Sequence, residues 1–90
     1  MYQIQYSKKF IKSLKLCKRR GFDIKLFEEV AHLLELNGTL PQKYKPHKLS
    51  GDYKGCWECH IQPDWLLVWM QDNEKLILLF TDTGTHSDLF

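Results

Sequence analysis

Tyr2, Ile4 and Tyr6 alternate with polar residues, the period-two pattern of a short strand over Tyr2–Tyr6. The period changes at Ser7, a residue suited to capping a helix. Phe10, Ile11, Leu14 and Cys17 then recur at helical intervals and predict a helix from Lys8 to about Arg20. Its other face carries Lys8, Lys12, Lys15, Lys18 and Arg19, and Gly21 ends it. Asp23 caps a second helix to about Leu36, with Leu26, Phe27, Val30, Leu33 and Leu34 on its buried side. Asn37-Gly38 stops that helix, so the two form an antiparallel hairpin. From Thr39 to Gly51, Pro41, Pro46 and the lysines around Tyr44 predict a loop that carries His47 to the sheet edge.

The pattern returns to period two over Cys56–Ile61, with Trp57, Cys59 and Ile61 on one face and Cys56, Glu58 and His60 on the other. Pro63 leads a tight turn that bears Asp64. Leu66–Met70 is apolar on both faces, as a central strand should be. Asp72-Asn73-Glu74 forms the next turn, and a last strand runs from Lys75 to Phe80 or Thr81. The order βααβββ predicts an α+β domain spanning residues 1–90, with two N-terminal helices packed on one face of a small, mostly antiparallel sheet. The tail, residues 83–90, would cover the other face or leave it as a cleft. Trp57 and Trp69 belong to the core, whereas packing and stacking on a ligand both stay open for Trp65.

The chain of 90 residues is 43% apolar and 27% charged, which suits a small globular domain and excludes a disordered one. No apolar run approaches the ~20 residues of a membrane span. Lysines at 8, 9, 12 and 15 interrupt any signal-like stretch, so a cytoplasmic protein with no membrane partner is expected. The net charge of +2 hides an asymmetry: residues 1–50 carry +7 and residues 51–90 carry −5. A basic first half suits an anionic partner. Three cysteines argue against a disulfide framework. Cys56-Trp57-Glu58-Cys59-His60 has the outline of a haem-attachment pattern without the export signal that chemistry needs. Cys17 alone does not complete a zinc site. Neither cofactor nor metal is expected.

The titratable groups at strand ends and loops of the second half are His47, Glu58, His60, Asp64 and His86. An imidazole ordinarily titrates near neutrality and can give or take a proton there. With lysines to hold phosphates and with Tyr53, Trp65 and Phe90 as aromatic platforms, the set suits RNA. The chemistry it suggests is metal-independent cleavage, in which a base activates the ribose 2′-OH and an acid protonates the leaving 5′-oxygen.

Three runs carry a resemblance: His47-Lys48-Leu49-Ser50-Gly51, then Glu58 through Val68, then Thr83-Gly84-Thr85-His86-Ser87-Asp88-Leu89-Phe90. Together they resemble the YafQ-type branch of the RelE/ParE toxin superfamily, over essentially the whole chain. The resemblance implies a RelE-like fold and a toxin of a bacterial type II toxin–antitoxin pair that cuts mRNA on the ribosome, at the 30S A site. It implies a cognate antitoxin as partner, with operator DNA reached only through that antitoxin. The antitoxin segment should be acidic and apolar, to meet the basic half. The residues implied as acid–base and substrate-orienting groups are His47, His60, Asp64 and His86. His86 is expected as the acid, His60 and Asp64 in base or orienting roles, and His47 at the scissile phosphate. Trp65 and Phe90 match positions tied to activity through packing or stacking, and Lys45, Lys48 and Lys54 are candidate phosphate ligands. Two departures stand out: Trp57 and Asp82 occupy places where the family usually has arginine. They imply reduced activity, since one lost donor to a transition-state charge costs about 10²–10³ in rate. A second reading is therefore a weak or inactive module on the same fold, acting through antitoxin and operator DNA.

Overall fold

The structure is a computed structural model that describes residues 1–90. Strand β1 (Gln3–Tyr6) is followed by helices α1 (Lys8–Arg19) and α2 (Ile24–Asn37). Strands β2 (His47–Lys48), β3 (Trp57–Gln62), β4 (Trp65–Asp72) and β5 (Ile77–Gly84) follow, and a one-turn helix α3 (His86–Leu89) closes the chain. The five strands form one mixed sheet in the order β1-β5-β4-β3-β2. Only β1–β5 is parallel, and the long connection such a pair needs is supplied by the two helices and the three other strands. The α+β class and the predicted helices are as expected, within a residue or two at their ends.

Local chemistry sets the boundaries. Ser7 Oγ accepts from the Phe10 N–H at 2.9 Å and donates to the Thr81 carbonyl at 2.9 Å, so the α1 cap is also a tie to β5. The Asp23 carboxylate accepts from the Lys25 N–H at 3.1 Å at the start of α2. Gly38 closes α2 in the left-handed region (φ 66°), and a Cβ there would collide with the Tyr2 ring.

Three features differ from the pattern-based expectation. The 39–51 loop contains β2 and two 3-10 turns, Gln42–Tyr44 and Gly51–Tyr53. A two-residue strand is too short to leave a periodic signal. Strand β5 extends to Gly84, because a bulge puts Thr81 out of register between the Trp69–Phe80 and Val68–Asp82 pairs. That break in alternation hides the last four strand residues in the sequence. Ile11 lies at the margin of α1 and is 42% exposed, so the apolar stripe is narrower than its spacing suggests.

The sheet has two unlike faces. Against the helices lies the main core: Phe10, Cys17, Phe27, Val30 and Leu34 pack on Cys59, Ile61, Trp65, Leu67, Trp69, Leu78 and Phe80. On the other face Leu66 and Val68 are covered by Leu89 of α3, with Leu49, Tyr53 and Cys56 around them. The tail thus covers part of that face, and the rest holds the polar groups. The three cysteines are free thiols; burial pushes the Cys17 and Cys59 thiols upward, which keeps both protonated and inert. No helix is long and apolar enough to cross a membrane.

Candidate active site

Alternation along β3 sends Glu58 and His60 to the face opposite the helices. Register then supplies His47, which stands directly across from Glu58 on β2. The β3–β4 turn holds Asp64, and α3 begins with His86. Glycine helps here: Gly84 (φ 157°) lets the chain leave β5 tightly against Asp88, whose Cβ would lie 2.9 Å from an added one. Thr85 caps α3 in a reciprocal box with Asp88, which fixes the first turn and so the His86 side chain.

Asp64 Oδ1 accepts twice from one residue, from the His86 backbone N–H at 2.9 Å and from His86 Nδ1 at 2.6 Å. The backbone N–H and then the ring N–H hold the Asp64 carboxyl below its usual range. With Nδ1 committed as a donor, Nε2 of His86 is the nitrogen free to meet a substrate. This is the carboxylate–imidazole arrangement that orients a histidine for proton transfer.

The other two histidines share a different carboxylate. His47 Nδ1 lies 2.8 Å from the Lys45 carbonyl and His60 Nδ1 lies 3.3 Å from the Pro63 carbonyl. A carbonyl only accepts, so Nδ1 carries the hydrogen in both rings. The Nε2 atoms face Glu58 Oε1, at 3.3 Å from His47 and 3.9 Å from His60. A proton on either Nε2 makes that ring a cation paired with Glu58. The Glu58 carboxylate is buried, and its Oε2 has no partner. A buried carboxylate oxygen left unpaired is costly. The His60 ring lies 5.6 Å from that of His86 and 6.4 Å from that of His47 (centroid to centroid), so the three imidazoles form one row.

His47, His60, Asp64 and His86 therefore come together. Phe90 stands beside them, 61% exposed and edge-on to Tyr53 at 5.2 Å. Tyr53 is itself tied by its hydroxyl to the Leu89 carbonyl at 3.0 Å. Lys45 sits in the left-handed region (φ 50°), which turns its carbonyl toward His47 and leaves its side chain exposed. Lys48 is held 5.6 Å above the Trp57 ring by a cation–π contact. Lys54, exposed after the Gly51–Tyr53 turn, is not tied to the histidines.

Trp65 requires a correction. It is only 1% exposed, packs edge-on against Phe22 at 5.1 Å, and donates from its indole nitrogen to Thr83 Oγ1 at 2.9 Å. Stacking on a nucleobase would expose that core, so Trp65 serves by packing. It has the parity of Leu67 and Trp69 on β4 and faces the helices with them.

The two departures from family arginine also acquire positions. Trp57 points to the helix side, where it stacks on Trp69 at 6.1 Å. An arginine stem there would start on the face away from Glu58 and His60. Asp82 shares their face, one strand beyond in the Glu58–Val68–Asp82 row. Its carboxylate is buried, 3.4 Å from Lys9 Nζ, and accepts from the Thr83 N–H at 2.9 Å.

Sequence reading missed two contributors. Glu58 was legible as a titratable group but not as the buried bridge between two histidines, because the β2–β3 register is invisible in a two-residue strand. Arg20, at the end of α1, reaches across to Asp88 of α3 at 2.6 Å and 3.3 Å. That pair holds the Asp88 carboxyl down at about 2. Sixty-eight residues separate the partners, and no local pattern links them. No three His, Cys, Asp or Glu side chains are arranged to hold a metal ion together.

Comparison with known proteins follows the same outline. The family described as "Bacterial toxin of type II toxin-antitoxin system, YafQ" matches residues 2–90. The mRNA interferase toxin YafQ of Escherichia coli K12 is 38% identical over 89 residues, covering 97% of this chain and 94% of that one. The YafQ chain in the E. coli DinJ–YafQ complex superposes with a TM-score of 0.90 at 36% identity, covering 100% of this chain and 99% of that one. A metal-bound toxin from Helicobacter pylori superposes with a TM-score of 0.90 at 42% identity, each chain covered completely.

Proposed function

The chain belongs to the YafQ family of bacterial type II toxin–antitoxin toxins, and from that premise we propose that it is an mRNA interferase acting on the ribosome. The observation that carries the catalytic reading is the Asp64–His86 pair at 2.6 Å facing the His60 ring. In the proposed reaction a base removes the proton from a ribose 2′-OH, and the oxygen attacks the adjacent phosphorus. A 2′,3′-cyclic phosphate forms as the P–O5′ bond breaks, and an acid protonates the departing 5′-oxygen.

His86 is the acid, delivering the proton from Nε2 while Asp64 fixes the ring through Nδ1. His60, backed by Glu58, is the base. His47 carries positive charge to the scissile phosphate whenever its Nε2 is protonated. Lys45 is the lysine best sited to steer the strand in, and Phe90 offers the exposed ring for stacking. The mRNA is met in the 30S A site of the ribosome, in the cytoplasm. As YafQ does with DinJ, this toxin pairs with a cognate antitoxin, and it reaches operator DNA only through that partner.

One observation favours a second reading, a catalytically weak module acting through its antitoxin. Asp82, at the position of a family arginine, is buried and paired with Lys9 of α1, so it offers no cation to the histidine row. The Trp57 departure adds less to it, because that side chain faces the other way.

A single experiment tests both readings. The purified toxin and its Asp82→Arg variant are added to a translating extract, and the RNA ends are analysed. The expected result is cleavage within translated frames, leaving cyclic phosphate ends that the antitoxin suppresses, and faster cleavage by Asp82→Arg. An intact message with both proteins would overturn the enzyme reading.

A further inference from the structure

Beside the row of imidazoles lies a second concavity, about 470 Å³, of a size typical of small-ligand pockets. It exists because β2 pairs only with Trp57 and Glu58, which leaves the outer edge of β3 open beyond them. Leu26 and Glu29 of α2 form one wall, and Lys43, Tyr44 and Lys45 form the opposite one. Ile61 and Pro63 lie between, and His60 belongs both to this pocket and to the catalytic row.

The opposite wall is built rather than loose. Pro41 and Pro46 bracket it, the Tyr44 N–H donates to the Pro41 carbonyl at 3.1 Å, and the Lys45 N–H to the Gln42 carbonyl at 2.9 Å. Tyr44 is half-buried against the core, and Lys43 Nζ lies 5.0 Å above its ring. The pocket thus combines an apolar floor, an aromatic ring, the Gln62 amide, two cations on one rim and one carboxylate on the other.

Resting on the nuclease reading above, we propose that this pocket holds a nucleobase of the substrate RNA next to the cleaved bond and selects adenine or cytosine. The base lies on Leu26 and Ile61 against Tyr44, and Lys43 and Lys45 hold its flanking phosphates. The Glu29 carboxylate accepts from the 6-amine of adenine or the 4-amine of cytosine. Uracil presents a carbonyl oxygen in place of that amine, as guanine does at the same edge, and would face the carboxylate acceptor to acceptor. An acidic antitoxin peptide fits less well, because Glu29 repels it. The shared His60 places the occupant beside the reacting ribose.

The test uses one mRNA whose codons offer all four bases around its cleavage sites, translated in extract with wild type, Glu29→Gln or Glu29→Lys. Glu29 is exposed on α2, so neither change threatens the core. Cleavage is read as a ratio between sites carrying adenine or cytosine and sites carrying uracil at the same position. Wild type should favour the former by about tenfold, the worth of one charge-assisted hydrogen bond. Glu29→Gln should reduce the ratio several-fold and Glu29→Lys should invert it toward uracil. A ratio unchanged by both variants overturns the proposal, whatever the total rate. Loss of antitoxin affinity with an unchanged ratio would also overturn it and would assign the pocket to the protein partner. Absence of cleavage by wild type would instead refute the nuclease reading itself.

Discussion

Two carboxylates a few residues apart in the chain do different work. Asp64 is two-thirds exposed and orients one imidazole, whereas Glu58 is buried and stands between two. Replacing Asp64 with Asn keeps an oxygen for the His86 N–H but removes the charge that stabilises an imidazolium. Cleavage should fall about 10- to 100-fold, less than the ~10⁴ for a buried triad aspartate, because water screens this one. Single-turnover rates at saturating RNA check this, and an unchanged rate would remove Asp64 from the mechanism. That His47, His60, Asp64 and His86 would come together was legible because polar titratable groups beside turns of an otherwise apolar strand pair stand out. Trp65 was less so. Leu66 and Val68 are as apolar as Leu67 and Trp69, so alternation along β4 carries no facing information there. Only the packed structure, with the indole donating to Thr83, assigns Trp65 to the helix side.

A four-residue helix cannot hold itself, and α3 is that short. It is fixed by the Thr85–Asp88 capping box, by Leu89 buried over Leu66 and Val68, and by Arg20 at the end of α1. Arg20 thereby acts as a positioning residue for His86, two residues before Asp88. The folded-state carboxyl of Asp88 is depressed, so its stabilisation is complete above the ordinary carboxylate value near 4. It is lost as pH falls toward about 2. Arg20→Ala should raise the Asp88 carboxyl part of the way back, the Thr85 backbone N–H still holding it down, as read by carboxyl NMR titration. The same variant should lower the cleavage rate several-fold with little change in RNA affinity. A titration at the wild-type position would deny the contact. At this scale the helices and the β3–β4 hairpin were readable from periodicity and turn residues. Strand β2, the bulge at Thr81 and the α1–α3 strut were not, because each depends on a partner distant in sequence.

Across the whole molecule, packing and chemistry are divided between the two faces of one sheet. The helices bury the main core on one side, and the imidazole row and the tail occupy the other. The division follows from alternation along β3, which sends Cys59 and Ile61 one way and Glu58 and His60 the other. It also turns Trp57 away from the imidazole row, despite its place beside Glu58 in the chain. The charge asymmetry readable in the sequence maps onto this plan only in part. The lysines of α1 lie exposed on the helix layer, while Lys43, Lys45 and Lys48 rim the sheet edge near the site. The central claim is that the imidazole row cuts translated mRNA, and one comparison tests it most directly. Wild type and His86→Ala are each induced in bacteria without antitoxin, at matched soluble levels, and mRNA ends are mapped. Wild type should arrest growth and cut within codons, and His86→Ala should do neither. Cutting and arrest that survive the His86→Ala change would contradict the account.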